Sequence, residues 1–323
     1  MSVMTKKIPD VILTPDTSLS KTSALIIAPG FGIGADAYEP LGKILQDNFA
    51  ANNVGLYVGV PHMNGNITTI GLKDAIKRVA KEIQDAEIPN QHSTFYAGHS
   101  VGGALLPYIL KDLNNLPDGF NKPDGMMLLA SFLVRSFRSK SIPDVGPGQY
   151  SFPNCPVISI GAELDGLARI SRFAEAFYNQ ITQNTDIDTA KRTLPITMIE
   201  GMTHMQFASG PIPKEVMDRD LLPEISYKEA HTNVASDMTY FVNYTMGSVS
   251  LGYQKGYIDR GNSSATAALT ATKTVAASAG FFEAEQMSIA FNVNDNLTVS
   301  YTDQTDTYDA QSASVTGDVD MDT

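Results

Sequence analysis

A serine flanked by small residues is the first candidate for chemistry in this chain. Ser100 lies in Gly98-His99-Ser100-Val101-Gly102, between an apolar run at 94–97 and a segment of helical period. Small residues two positions on either side of a serine let a strand and a helix approach closely, so that its hydroxyl is exposed at a strained turn. Gly103 extends the small set, and amides at the start of the helix favour developing negative charge. The pattern predicts that Ser100 is a nucleophile; the alternative is a turn whose glycines serve only packing.

A serine nucleophile needs a general base, and the chain offers five histidines. These are His62, His92, His99, His204 and His231. With a serine motif of this kind the order along the chain is nucleophile, acid, histidine, so the base follows a late strand. His204 comes directly after the apolar run 196–199 and is the predicted base. His231 falls in a segment of helical period as a surface or packing residue, and His99 is expected to point away from the nucleophile.

Two acids compete to orient His204. Both Glu163 and Asp165 follow the apolar run 157–160. An acid several residues past a strand end can reach a histidine at the carboxyl edge of the sheet, whereas Glu163 is expected to face a neighbouring strand. The sequence favours Asp165 and leaves Glu163 as the alternative. A further alternative is that Asp165 caps a helix or forms a turn.

Backbone amides near Ser100 are candidates for stabilising an oxyanion. One donor is expected at Val101, which follows the nucleophile, and the second in the loop after an early strand. Pro29-Gly30-Phe31-Gly32 follows the apolar run 23–28, and the Phe31 amide is the predicted second donor. The alternative is a plain glycine-rich turn.

Apolar residues near these positions suggest a hydrophobic substrate. The predicted pocket residues are Gly30, Leu167, Met202 and Met205. Flexible apolar side chains suit a fatty or otherwise hydrophobic group. Packing in the core is the alternative.

Alternating strands and helices must hold these residues. Short apolar runs predict strands at 23–28, 55–60, 94–97, 126–129, 157–160 and 196–199. Apolar spacings of three and four predict helices at 38–49, 72–83, 170–181 and 227–244. The β-α repetition predicts the α/β class with a doubly wound, mostly parallel sheet. We therefore expect a catalytic domain over residues 1–245.

The composition changes near residue 246. Lysine and arginine become rare, and alternating residues at 287–293 and 297–301 around Asn294-Asp295-Asn296 predict a β-hairpin. The acidic, polar stretch 302–323 predicts disorder. Residues 246–323 are therefore expected to be a separate, poorly ordered tail.

Charge and composition argue against several partners. The net charge of −12, from 35 acidic and 23 basic residues, opposes binding to nucleic acid. The single cysteine, Cys155, excludes an intramolecular disulfide, and the spacing of Cys and His predicts no metal site. The start has no apolar core of a signal peptide and no run is long enough to span a membrane, so a cytoplasmic location is expected.

Taken together, the Ser100, Asp165 and His204 motifs resemble the α/β-hydrolase superfamily over about residues 22–245. The motif at Gly98–Gly103 and the Pro29-Gly30-Phe31 turn are similar to the cutinase, polyester-hydrolase and chlorophyllase branch. Many members of the branch have His-Gly at the turn, and chlorophyllases usually carry Arg where Val101 stands. The resemblance implies hydrolysis of small-molecule carboxylic esters through an acyl-enzyme, without a cofactor. Hydrolysis of amides or lactones, or binding without catalysis, are the alternatives.

Two further segments carry weaker resemblances. Residues 131–152 fall where the superfamily often inserts a cap, and Arg135, Arg138 and Lys140 could meet an acidic group; a solvated loop is the favoured interpretation. In the tail, residues 249–256 (VSLGYQKG) and 281–291 (FFEAEQMSIAF) resemble a fragment of a bacterial outer-membrane porin, although two or three strands cannot close a barrel. A chimeric reading frame is our hypothesis for the change of composition.

Overall fold

Seven strands and the helices between them form the part of the protein that holds the candidate site. The computed structural model describes residues 9–15, 19–111, 113–134, 153–183 and 194–245, together with the strands at 250–259, 281–294, 297–309 and 319–322. The strands of the first sheet are β1 (Val11–Leu13), β2 (Lys21–Ala28), β3 (Val54–Val60), β4 (Ser93–His99), β5 (Gly125–Leu129), β6 (Val157–Ala162) and β7 (Ile196–Ile199). The helices are α1 (Glu39–Ala51), α2 (Leu72–Asp85), α3 (Val101–Lys111), α4 (Ile170–Gln183), α5 (Lys214–Met217) and α6 (Tyr227–Thr245).

The sheet has the order β1-β3-β2-β4-β5-β6-β7. Neighbours from β3 to β7 pair in parallel, and β1 pairs antiparallel with β3. The predicted doubly wound, mostly parallel α/β fold is therefore confirmed, and it has the form of an α/β-hydrolase fold. The sequence did not predict β1, because three residues are too few to show a period.

The connections between strands reverse direction at β2 and β4, which are neighbours in the sheet. The chain leaves β2 for β3 on one side and returns to β4 on the other side of β2. In open α/β sheets, ligands bind outside the carboxyl ends of the strands at such a reversal. The turn at Pro29–Phe31 follows β2 and Ser100 follows β4, so both predicted segments lie at this point.

Both faces of the sheet are covered, as the alternating residues of β2 show. Leu25 and Ile27 belong to one buried cluster, whereas Ala24 and Ile26 belong to the other. Side chains of a strand alternate between faces, and a parallel sheet buried on both sides needs apolar residues at every position. One cluster includes residues of α1 and α6, and the other includes residues of α2. The strands are thereby fixed from both sides.

The tail contains a second sheet. Its strands are β8 (Ser250–Asp259), β9 (Phe281–Asn294), β10 (Leu297–Asp309) and β11 (Val319–Asp322), in the antiparallel order β11-β10-β9-β8. The predicted hairpin corresponds to β9 and β10, and its central residues 295–296 lie outside the described residues. The sequence predicted disorder for residues 302–323, but residues 302–309 continue β10. They do so because β9 begins at Phe281 and supplies pairing partners as far as Asp309.

Candidate active site

Ser100 occupies the sharp turn between β4 and α3. Its φ is 54°, in the left-handed region that residues with a side chain rarely adopt. The Ser100 amide donates to the Leu129 carbonyl at 2.8 Å, and the Ser100 carbonyl accepts from the Ala104 amide at 3.0 Å. Bonds to both β5 and α3 thus hold the strained turn.

The glycines around Ser100 are required by close backbone contacts. A Cβ atom on Gly98 would lie 2.6 Å from Cα of Gly103, and one on Gly102 would lie 2.5 Å from the Pro29 carbonyl oxygen. Real Cβ contacts are almost never so short. The small residues therefore allow α3 to pack against β4 and against the loop after β2, as the motif predicted.

Hydrogen bonds join Ser100, His204 and Asp165 into one chain. The His204 Nε2 atom lies 2.8 Å from Ser100 Oγ, and Nδ1 lies 2.7 Å from Asp165 Oδ2. The side chains of His204 and Asp165 are 3% and 0% exposed. An ionised carboxylate only accepts, so Nδ1–H donates to Asp165 and Nε2 is free to accept the Ser100 proton. The arrangement can transfer a proton from the hydroxyl to the imidazole.

A short 3-10 turn at His204–Phe207 sets the direction of the imidazole. The Thr203 amide donates to Gln206 Oε1 at 2.9 Å, and Gln206 Nε2 donates to the Ile225 carbonyl at 2.7 Å. The turn is therefore capped from within and tied to the segment before α6. His204 is held on backbone that packs against the domain.

Asp165 and Glu163 have different partners. Asp165 Oδ1 accepts from the amides of Leu167 and Ala168, both at 2.7 Å, so the acid also organises its own turn. Glu163 Oε2 accepts from the Gly201 amide at 2.9 Å, in the loop that follows the neighbouring strand. The structure therefore brings Asp165, and not Glu163, to His204.

Three consecutive amides in the loop after β2 differ in their hydrogen bonds to the described residues. The Gly30 amide donates to the Tyr38 hydroxyl at 2.7 Å, and the Gly32 amide donates to the Asn66 carbonyl at 2.9 Å. No described residue accepts a hydrogen bond from the Phe31 amide between them, or from the Val101 amide that opens α3. The two amides that the sequence singled out are therefore those that lack an acceptor in the part of the chain that the structure describes.

His99 and Tyr38 form a buried network that connects this loop with the histidine. The Tyr38 oxygen lies 2.8 Å from His99 Nδ1, and His99 Nε2 lies 3.0 Å from the His204 carbonyl. A carbonyl only accepts, so Nε2 carries the proton and Nδ1 accepts from Tyr38. Burial, together with the nearby His204, lowers the pKa of His99 to about 3. Both ring nitrogens of His99 are therefore bonded to groups other than Ser100, in line with the prediction, whereas no local pattern indicated the contact with Tyr38.

Two of the four predicted pocket residues are packed in the core. Met202 and Met205 are 0% and 1% exposed and belong to the same cluster as α1 and α6. Their burial corrects the pocket prediction, because side chains that no solvent reaches cannot touch a ligand in this conformation. Leu167 is half-buried, and Gly30 is buried against Ile33 and His99.

The remaining histidines lie in structural positions. His231 is buried in α6, which lowers the pKa of its imidazole, and its ring meets Tyr227 edge to face. The His92 ring packs on Phe120, and the His62 amide donates to Asp10. No hydrogen bond among the described residues joins the side chain of His231, His92 or His62 to Ser100.

Asp220 is a residue of the site that sequence reasoning missed. Its Oδ1 accepts from the Gly166 amide and its Oδ2 from the His204 amide, both at 2.9 Å. Burial raises the pKa of the Asp220 carboxyl, and the charge of Asp165 acts in the same direction. No spacing signal separated Asp220 from the neighbouring Asp218, because its partners are backbone atoms brought close only by folding.

The described residues contain neither a metal-binding cluster nor a helix suited to crossing a membrane. Among the described residues, no three His, Cys, Asp or Glu side chains are grouped so that they could hold a metal ion. No helix in that part of the chain combines the length and apolar character needed to cross a membrane. The segment for which a solvated loop was favoured over a cap, with Arg135, Arg138 and Lys140, lies outside the described residues.

Comparisons with known proteins give matches only among solved structures. No protein-family model matches the chain, and no curated protein matches it. Similar structures include Thermogutta terrifontis esterase 2 phosphonylated by cyclosarin, with 16% identity, a TM-score of 0.44, and coverage of 73% of this chain and 89% of that chain. A lidless α/β serine hydrolase from Xanthomonas campestris has 10% identity, a TM-score of 0.42, and coverage of 72% and 87%. Est1E from Butyrivibrio proteoclasticus with bound ferulic acid has 14% identity, a TM-score of 0.42, and coverage of 72% and 95%. At this distance the chemistry of the site rests on its own geometry.

Proposed function

We propose that the protein is a serine hydrolase that cleaves carboxylic esters through an acyl-enzyme. The observation that carries this proposal is the continuous hydrogen-bonded chain from Ser100 Oγ through His204 to Asp165. A nucleophile, a base and an acid that orients the base are the parts that this chemistry requires. The strained turn at Ser100 presents the hydroxyl at the end of β4.

The first half of the reaction forms the acyl-enzyme. Ser100 Oγ attacks the ester carbonyl carbon while His204 Nε2 takes the hydroxyl proton. Asp165 stays ionised and stabilises the imidazolium through Nδ1–H. The carbonyl oxygen becomes an oxyanion, for which the amides of Phe31 and Val101 are the proposed donors. When the intermediate collapses, the C–O bond to the alcohol breaks and His204 returns the proton to the leaving oxygen.

The second half of the reaction consumes water. His204 Nε2 takes a proton from water, whose oxygen attacks the acyl carbon, and the same two amides hold the new oxyanion. The bond to Ser100 Oγ then breaks, the serine regains its proton from His204, and the acid is released. No cofactor takes part in either half.

We further propose that the ester carries a hydrophobic acyl or alcohol group. Phe31 is 50% exposed beside the free amide, although large apolar side chains usually find cover. The adjoining Gly32 bonds to Asn66, next to exposed Ile67, and it approaches Pro213, next to exposed Ile212. Exposed apolar side chains thus lie on this loop and beside two residues that contact it, which supports such a group.

A fluorophosphonate probe and a substrate panel test the proposal. We expect the probe to label the wild type and not Ser100→Ala, because only an activated serine reacts. Among p-nitrophenyl esters, longer acyl chains are expected to have higher kcat/KM than acetate. Absence of labelling in the folded protein would point to binding without catalysis. Faster turnover of amides or lactones than of any ester would replace the proposed substrate class.

The narrower relationship to cutinases, polyester hydrolases and chlorophyllases stays a prediction from the sequence. Val101 stands where chlorophyllases usually carry Arg, so chlorophyll is not our first choice of substrate. Release of soluble acid from a polyester film, measured beside the p-nitrophenyl esters, tests this branch separately.

A further inference from the structure

Asp220 connects the two loops that carry the acid and the base. Its carboxylate accepts one hydrogen bond from the Gly166 amide, next to Asp165, and one from the amide of His204 itself. Both distances are 2.9 Å, so each oxygen has one donor. These donors come from the loops after β6 and β7, which are also joined by the bond from the Leu164 amide to the Met202 carbonyl and by the bond from the Gly201 amide to Glu163. Asp220 adds a contact from a third segment to the two residues nearest the triad, Gly166 and His204.

The segment that holds Asp220 is itself fixed against the acid loop. The Asp220 amide donates to the Val216 carbonyl at 2.8 Å, and the Leu221 amide donates to the Leu164 carbonyl at 3.3 Å. A Cβ atom on Gly166 would lie only 1.7 Å from the Arg219 carbonyl oxygen, so the two backbones are in close contact. The backbone that carries Asp220 is therefore held against the acid loop.

Asp220 cannot be a second triad acid in this arrangement. It contacts the backbone amide of His204, whereas Nδ1 of the ring is already bonded to Asp165. Its contact with the loops is nevertheless direct, and misplacement of catalytic groups by about 1 Å can lower rates by about 100-fold. Its position suits a residue that sets the alignment of the pair.

We propose that Asp220 is a positioning residue that holds the acid and histidine loops in register, so that Asp165 meets His204 Nδ1. This inference rests on the proposed hydrolase function. The carboxylate acts through its two acceptor oxygens, one for each loop, and no hydrogen bond among the described residues joins it to Ser100 or to the proposed oxyanion donors.

Asp220→Asn tests the proposal, with Asp218→Asn as the matched control. Asparagine keeps one acceptor oxygen and turns an NH₂ group toward the other amide, so one loop loses its anchor. We expect kcat to fall by about 10- to 100-fold, with KM changing less than about threefold. Asp218 is exposed on the same segment, and its variant is expected to match the wild type.

A double-mutant cycle with Asp165→Asn separates positioning from a general structural role. If Asp220 acts through the Asp165–His204 pair, Asp220→Asn should lower kcat by less than about threefold once Asp165 is already replaced. An additive loss of 10- to 100-fold in both backgrounds would overturn the proposal, as would an unchanged kcat in the single variant. If Asp220→Asn does not fold, the same cycle with Asp220→Glu, which displaces both oxygens by a methylene, carries the same expectation.

Labelling of the wild type distinguishes failure of this inference from failure of the proposed function. If a fluorophosphonate does not label folded wild type, the hydrolase function itself is wrong and the inference falls with it. If the wild type is labelled and Asp220→Asn is labelled at the same rate, only the role of Asp220 is wrong.

Discussion

The Glu163 carboxylate accepts a hydrogen bond from the Gly201 amide at 2.9 Å and thereby ties the end of β6 to the loop after β7. This contact turns Glu163 toward the neighbouring strand, while Asp165, two residues later, reaches His204. Two acids separated by one residue thus serve different purposes. One supports the backbone of the histidine loop, and the other bonds the imidazole.

Replacing the two acids should have very different effects. Asp165→Asn is expected to lower kcat by a factor on the order of 10⁴, because the amide cannot stabilise the imidazolium and favours the wrong tautomer. Glu163→Gln keeps an oxygen for the Gly201 amide and should lower kcat far less. Steady-state kinetics on one p-nitrophenyl ester compares the two, and a larger loss for Glu163→Gln would move the acid to Glu163.

Ser100→Ala should remove activity without unfolding the protein. The loss of a triad nucleophile lowers turnover by a factor on the order of 10⁶. Alanine has less volume than serine, and Ser100 Oγ has one hydrogen-bond partner, so circular dichroism should be unchanged. Activity above about a tenth of the wild type in a folded variant would contradict the assignment, since removal of the reacting atom must abolish the reaction.

Gly102→Ala should destabilise the domain and impair the oxyanion loop. The added methyl group would lie 2.5 Å from the Pro29 carbonyl oxygen and 2.6 Å from that of Ala28. Overpacking of this kind costs about 1–3 kcal/mol, and relief would displace the loop that carries Phe31. Urea unfolding and kcat are the measurements.

Gly55→Ala is the matched control for that variant. A Cβ atom on Gly55 would have no neighbour closer than 3.5 Å, an ordinary contact. The control should leave activity intact and keep or slightly raise the free energy of unfolding, because alanine suits a strand better than glycine. Equal losses in both variants would show that the contacts at Gly102 are not the cause.

His99 should make the folded state less stable as the pH falls below about 6.5. Burial and the nearby His204 lower its pKa to about 3 in the folded protein, from 6.5 in the unfolded chain. Above 6.5 both states are neutral. Between the two values only the unfolded state binds the proton, so the free energy of unfolding falls by up to about 1.4 kcal/mol per pH unit.

His99→Gln should remove this contribution to the pH dependence. Glutamine can still accept from Tyr38 and donate to the His204 carbonyl, but it does not titrate. Urea unfolding at several pH values between about 7 and 5 should therefore give a shallower slope than the wild type. Equal slopes would mean that His99 takes up its proton in the folded state as well.

A protein that ends at Met246 should keep its esterase activity. Ser100, Asp165 and His204 all lie upstream, and β8–β11 form a sheet of their own among the described strands. Removal of the unpaired edges of that sheet should also raise solubility. The measurements are kcat/KM and the soluble fraction after expression, and loss of both folding and activity would show that the tail belongs to the domain.

Local patterns were sufficient to predict most of the first sheet and the candidate catalytic residues in the loops that follow its strands. Each parallel strand is a run of apolar residues buried on both faces, and each long helix repeats apolar residues every three or four positions, so both are visible without the fold. Ser100 carries its own signal, because the turn that exposes it needs small neighbours. Asp165 and His204 could be selected by their positions after β6 and β7, because parallel strands deliver such loops to one edge.

Tertiary structure alone decided the contacts between those loops. The short strand β1, the bond from Tyr38 to His99 and the two bonds of Asp220 join residues far apart in sequence, and no periodicity records such pairs. The burial of Met202 and Met205 could not be predicted from the sequence either, because a flexible apolar side chain near a site suits both a pocket and a core. Residue type and spacing determined which groups reach the edge of the sheet, whereas packing of the loops against one another decided which of them touch.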